Sequence, residues 1–442
     1  MRALVLALAA ILAAGGSGCG RSQAEARTVR LAVWSMWAGE EERVFKRVLA
    51  RYMELNPHVR IENLGAVRDD TKTVRAIVAG VPPDLFTVAD PLYVGPLAAN
   101  GAVYALDEWF HASGLREEEF LPAALNQCRY QGRLHAMPFL VDCYALMWNK
   151  RLFREAGLDP ERPPETLEEL EAFALKLTRF DRSGNLIRLG FQPVSNRSFY
   201  AGEIFMLFHL FGGRLYDPAS GRVTPDEPRN VAAMEWFKRL VDRMGGYRRV
   251  NAFAAGFGQP QGGNNPFLMG KIAMMINGQW NPYWAHEYKP GLEYGVAPIP
   301  APRNRPDRRG TTWFGGNLFC IPKGSRNPEE AWKLLAWMQT PEAQYLFADT
   351  MHGVPNVRAA MRDPRLRTGE SWRPLYGRFI DLALSPTAGH FPVLPVSGLY
   401  YTQLLDSLDM VLDGQKTPRQ ALGDVGVRVQ RELDRYGEGH GG

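Results

Sequence analysis

Four cysteines, eight histidines and 47 acidic residues are the side chains that could attack a bond, move a proton or hold a metal. Their spacing builds none of the usual arrangements. Cys19, Cys128, Cys143 and Cys320 include no C-x-x-C pair, so zinc and thioredoxin-type chemistry have no support. The histidines are scattered, and there is no G-x-S-x-G, no P-loop and no complete G-x-G-x-x-G. Gly256-Phe257-Gly258 is a loop fragment without a strand before it. Asp181-Arg182-Ser183-Gly184-Asn185 opens like a calcium loop, but Leu186 stands where that loop needs Gly, and no Glu closes it. A plain hairpin turn is expected there. Glycoside hydrolysis needs two carboxylates flanking one bond, and no motif pairs them. The pattern points to no enzyme, no cofactor and no metal. What the chain has in quantity is aromatic surface, with 11 Trp, 16 Tyr and 22 Phe. Most must be core, which leaves some to line a site.

Cys19 has its own context. Arg2 is followed by an apolar run from Ala3 to Ala14, then small residues up to the cysteine. This is the layout of a secretory signal, and the run is shorter than the ~20 residues needed to span a bilayer. Gly16-Ser17-Gly18-Cys19 resembles a bacterial lipobox, with Gly16 where Leu is usual. The expectation is a lipoprotein signal peptide over residues 1–18, lipidation at Cys19 and a small, polar tether over 19–28. Ordinary cleavage without a lipid is the alternative. In an oxidising compartment the other three cysteines leave at least one unpaired. Buried free thiols are expected, with a Cys128–Cys143 bridge as the alternative. The formal charge of +5 is too small for this length to argue for nucleic acid. The basic cluster Arg303 to Arg309 lacks apolar periodicity and reads as a solvated loop.

The length, 442 residues, calls for two or more domains. Val29 to Trp34 reads as a strand. Glu40 to Leu55 carries Val44, Val48, Leu49 and Tyr52 at helical spacing, with acids in its first turn and Pro57 beyond its end. Val59 to Leu64 is a second strand, Asp70 to Ala79 a second helix, and Asp84 to Val88 a third strand. This alternation predicts a parallel sheet with covering helices. Further on, Tyr130 to Leu134 and Met137 to Asn149 read as strands. Helices are expected at Lys150 to Ala156, Leu167 to Thr178, Ala201 to Phe211, Pro228 to Met244, Pro328 to Gln339, Pro341 to Thr350 and Tyr401 to Leu412. Ala252 to Pro266, rich in Gly, Asn and Gln, reads as loop.

Several short motifs stand in a telling order. They are Val33-Trp34-Ser35-Met36-Trp37; Gly80-Val81-Pro82-Pro83-Asp84; Gly132-Arg133-Leu134-His135-Ala136-Met137-Pro138; Leu146-Met147-Trp148-Asn149-Lys150; Gly212-Gly213; Asn277-Gly278-Gln279-Trp280; Gly315-Gly316-Asn317; and Ile321-Pro322-Lys323-Gly324-Ser325. Each is weak, and the ordered set over nearly the whole mature chain is strong. The chain resembles the solute-binding proteins of carbohydrate ABC importers, of the maltose-binding-protein type. The resemblance implies an α/β, two-lobed periplasmic-binding-protein fold with an interlobe cleft and a hinge. It places the first lobe at 29–140 and 314–352 and the second at 145–310 and 357–442. Hinges fall near 141–144, 311–313 and 353–356. It further implies a carbohydrate ligand, permease subunits as membrane partners, a monomer, and an extracytoplasmic location.

A sugar has C–H faces for aromatic rings to cover and hydroxyl edges for planar polar groups to hold. By motif, Trp280 sits at the family's stacking aromatic and Asp142 at its sugar-binding acid, counted back from Asn149-Lys150. Trp37 follows the first strand toward the cleft, whereas Trp34 reads as core. Asp90 follows the third strand, where open α/β sheets meet ligands. Phe199 and Tyr200, with Asn196 and Arg197 beside them, precede Gly212-Gly213, from which the second lobe contributes contacts. Trp313, Gly315, Gly316 and Asn317 form a hinge loop whose small residues would let backbone N–H groups approach a ligand. Arg358 is expected to reach the cleft from the last segment. Gln259, Asn264 and Asn265 read as solvated amides. A glycerol phosphate or other anion is the rival solute, and it would use Arg197 and Arg358.

Overall fold

The computed structural model describes residues 28–68, 70–88, 91–192, 203–257 and 262–440. The readings made for Cys19, Asp90, Asn196, Arg197, Phe199, Tyr200 and Gln259 lie outside these residues. The chain forms two α/β lobes, each built on one sheet. Strands β1 (Val29–Trp34), β2 (Val59–Leu64) and β3 (Leu85–Val88) run parallel, with β1 between the other two. The helix Gly39–Leu55 links β1 to β2 and buries Val44, Phe45, Val48, Leu49 and Tyr52, the face that the spacing predicts. The motifs around Pro82-Pro83-Asp84 and Gly324-Ser325 meet through one buried carboxylate. Asp84 accepts from Ala32 N at 2.9 Å through one oxygen, and from Ser325 Oγ and Asn327 N, both at 2.9 Å, through the other. Three hydrogen bonds offset the cost of burying this side chain.

A short ribbon, β4 (Arg129–Tyr130) with β5 (Arg133–Leu134), precedes the decisive stretch. By periodicity alone the apolar run Met137–Asn149 reads as strand throughout, and the hinge near 141–144 is implied only by the resemblance. In fact it is two strands in two sheets: β6 (Met137–Val141) joins the first and β7 (Tyr144–Asn149) the second, with only Asp142 and Cys143 between them. Both are buried along their whole length, so periodicity carries no mark of the crossing.

The second lobe continues with β8 (Arg179–Phe180) and β9 (Leu186–Phe191), joined by the predicted turn. There Asp181 Oδ1 accepts from Ser183 N and Asn185 N, an Asx turn. A second ribbon pairs β10 (Tyr216–Asp217) with β11 (Arg222–Val223). Strand β12 (Ile272–Gly278) lies between β7 and β9, and β13 (Tyr294–Ala297) closes the other edge, giving the order β13-β7-β12-β9-β8. The chain then returns: β14 (Gly316–Cys320) and β15 (Val354–Pro355) complete the first sheet as β15-β6-β14-β3-β1-β2. It crosses again beyond Asn356, whose buried amide donates to Pro138 O and Phe139 O.

Most predicted helices are present with ends moved by one to four residues, as with Leu167–Leu177, capped by Thr166 Oγ1. Ala252–Pro266 is not all loop: the helix Tyr247–Ala255 runs into it. Helices not predicted include Asn281–Tyr288, Arg373–Ala383 and Pro418–His440. Cys128, Cys143 and Cys320 are buried and outside any disulfide. Among the described residues no helix is long and apolar enough to cross a membrane, and no cluster could hold a metal.

Candidate functional site

Three pieces of chain meet where the sheets exchange strands: Asp142–Tyr144, Gly278–Trp280 and Thr312–Gly316. Covalent geometry forces the first to span both lobes, and side-chain hydrogen bonds fix the other two against it. Thr312 Oγ1 accepts from Tyr144 N at 2.9 Å and donates to Tyr144 O at 3.0 Å, so one hydroxyl replaces a strand partner. Phe314 N donates to Gly389 O and Gly389 N to Thr312 O, anchoring the same piece to the last segment. Asn281 Nδ2 donates to Gly278 O at 2.9 Å, and its Oδ1 accepts from Asn265 Nδ2 at 3.1 Å. Asn265 is thus structural and buried, not a solvated amide.

On this frame sit three rings. Tyr144 lies edge-on to Trp280, with centroids 5.9 Å apart and planes at 86°, and 5.7 Å from Trp313. Both indoles are half-buried. Each lies against a glycine two residues away. A Cβ at Gly278 would stand 2.3 Å from Trp280 Cη2, and one at Gly315 2.7 Å from Trp313 Cη2. Trp313 Nε1 is buried without a hydrogen-bond partner among the described residues. A small cavity of about 30 Å³ beside Trp313 is lined by Leu92, Gln127, Phe391 and Tyr401, joining both lobes.

Asp142 is half-buried at the crossing, with its backbone against Gly316. Burial pushes its carboxyl above the ordinary carboxylate range, opposed by a hydrogen bond from Gln279 Nε2 to Oδ1 at 3.1 Å. Cys143 is inert by contrast. Its thiol is pushed up to about 12 by burial and lies against Phe379 O.

The predicted residues separate clearly. Asp142, Trp280, Trp313, Gly315 and Gly316 come together at the crossing. Asn317 is half-buried at the start of β14, beside a register shift. The glycines serve a different end from the one expected. Gly315 is covered by an indole, and Gly316, with φ +114°, lies against Leu140–Asp142, where a Cβ would stand 2.4 Å from Leu140 O. Protein fills the space that a ligand was expected to use. Trp37 is corrected to core: it is 3% exposed and ringed by Phe45, Phe139, Phe319 and Phe347. Arg358 is corrected as well. Its Nε donates to Glu118 O in the turn Glu117–Glu119, so it is tied there and not to the crossing. Sequence reasoning missed Tyr144, Gln279 and Thr312. Gln279 stood inside a quoted motif and Tyr144 two residues from Asp142, but only their partners reveal what they do.

The sequence matches the family described as bacterial extracellular solute-binding protein over residues 38–345. A maltotriose-binding protein of Pyrococcus abyssi is 26% identical over 349 residues, 78% of this chain and 70% of that protein. A solved structure with mannotriose bound, CpMnBP1, is 29% identical with TM-score 0.78, covering 91% of this chain and 100% of the other. The cyclic α-maltosyl-1,6-maltose binding protein of Arthrobacter globiformis shares the fold, with TM-score 0.74 at 19% identity over 92% of this chain and 99% of the other.

Proposed function

Because this chain belongs to the bacterial extracellular solute-binding protein family, we propose that it captures a sugar between its lobes and delivers it to the permease of an ABC importer. The crossing cluster carries the reading: two half-buried indoles and Tyr144 beside one carboxylate whose Oδ2 has no hydrogen-bond partner among the described residues. Rings supply faces for C–H patches, and the carboxylate accepts hydroxyls with charge-assisted bonds. In this reading Trp280 and Trp313 are platforms, Asp142 is the acceptor, and Asn317, Asp90, Phe199 and Tyr200 add contacts. The lobes comprise 29–140 with 314–352 and 145–310 with 357–442, turning about 141–144, 311–313 and 353–356. Solute touching both lobes stabilises the closed state by its extra contacts there. The half-buried carboxyl and the diversion of Arg358 disfavour an anionic solute. The protein works outside the cytoplasm, held by a lipid on Cys19, as a monomer and without transforming its ligand.

Mannotriose and maltotriose are the first probes, since proteins similar to this chain are named for them. Calorimetry should show saturable binding of a neutral sugar, lost in Trp280→Ala, and the oligosaccharide should be recovered intact. Binding only of phosphorylated solutes would overturn the carbohydrate reading.

A further inference from the structure

Gln279 is 1% exposed, at the point where β12 gives way to the helix Asn281–Tyr288. A buried amide is costly unless each end is satisfied. The partners settle its orientation. A backbone N–H can only donate, so Cys143 N, 2.8 Å from Oε1, fixes the carbonyl end. The NH₂ end must then face Asp142, and Nε2 donates to Oδ1 at 3.1 Å. One side chain from the second sheet thereby grips both residues of the dipeptide that joins β6 to β7. Asp142 Oδ1 is held as an acceptor and its rotation is fixed.

We propose that Gln279 is the positioning residue of the binding site, holding Asp142 so that Oδ2 faces the solute and selects neutral hydroxyl donors. The proposal rests on the reading above that Asp142 touches the solute. An amide is the group suited to this work. A carboxylate at 279 could still accept from Cys143 N, but would set a second negative oxygen against Oδ1. A thioether would grip neither neighbour.

The test is calorimetric titration of the purified secreted chain with mannotriose and maltotriose from pH 5 to 8, alongside melting curves. In the native protein, affinity should fall toward pH 5 as Asp142 takes up a proton. Gln279→Glu should bind at least tenfold more weakly at pH 8 and recover toward pH 5, when one proton is shared by the two carboxylates. That reversal of slope is a readout that a merely structural role would not give. Gln279→Met should lose about tenfold and keep the native slope, and it carries the test if the charged variant folds poorly. Native affinity and slope in both variants, with binding abolished in Asp142→Asn, would overturn the positioning role while the site stands. Native binding by Asp142→Asn, or no binding of either sugar by the native chain, would overturn the site reading itself.

Discussion

Two aromatic clusters lie within one chain crossing of each other, and they are made of similar residues. Around Trp37, four phenylalanine rings approach within 4.6–6.2 Å, and the residue is 3% exposed. Around Tyr144, Trp280 and Trp313 lie within 5.9 Å, but each indole is backed by a glycine and remains half-buried. The first cluster is finished by protein. The indoles of the second stay half-buried, with the Asp142 carboxylate two residues from Tyr144. The difference teaches that the exposure of a tryptophan is set by what packs against it, and residue type does not report that. Gly278 and Gly315 matter because a side chain at either position would collide with the indole that lies against it.

The largest expected effect separates the clusters directly. Trp37→Ala should cost about 3–5 kcal/mol of stability, as large-to-small core changes do. The folded fraction should keep its affinity, and melting curves with calorimetry check both halves. Trp280→Ala should do the reverse, weakening sugar binding by roughly 10–100-fold, on the order of 1.4–2.8 kcal/mol, with a small change in melting temperature. If it instead melted like the Trp37 variant with unchanged affinity, the second cluster would be core as well.

Asp142 sharpens the contrast between site and core. Burial raises its carboxyl in the folded chain, so folding favours the protonated form, and ionising it above the unfolded value costs stability. Asp142→Asn should therefore melt higher than the native chain at pH 7 and lose that advantage in acid, while binding is lost. A residue kept at a cost to stability is what a site requires and a core does not.

A third stack links the lobes without touching the first two. Tyr283, in the helix Asn281–Tyr288, lies 3.8 Å from the ring of His352, at 16° between planes, with Trp372 edge-on to both. His352 caps the helix Pro341–Met351 in the left-handed region, at φ +55°. Tyr283→Ala should remove about 0.5–1.5 kcal/mol and shift sugar affinity by only several-fold, through the lobe equilibrium. Burial pushes His352, and also His209, down to about 4. Both are kept neutral by the fold, so their stabilising contribution is complete above the unfolded value near 6.5. It is lost as pH falls toward 4. Melts across that window should show a decline, shallower in His352→Gln.

The alternation of elements up to Val88, the helix faces, the turn at Asp181 and the ordered motifs were legible because each rests on local spacing or local caps. That was enough for the α/β class and, through the resemblance, for two lobes and a cleft. Motif matching put forward Asp142 and Trp280, and the hinge loop Trp313, which the fold brings together; Trp37 and Arg358, put forward in the same way, lie elsewhere. Position along the chain cannot tell a ring enclosed by four phenylalanines from one left half-buried, nor an arginine engaged by Glu118 O from one that is not. Periodicity left no mark of the break at Asp142–Cys143 for a related reason, and only the resemblance, with its hinge near 141–144, suggested a crossing there. A strand buried on both faces has no alternation, so one apolar run can serve two sheets. Gln279 became visible only when Cys143 N and Asp142 stood at its two ends, 136 and 137 residues away in sequence. Local sequence chose the elements because their hydrogen bonds close within a few residues. Tertiary structure chose the site because its partners are brought together only by folding.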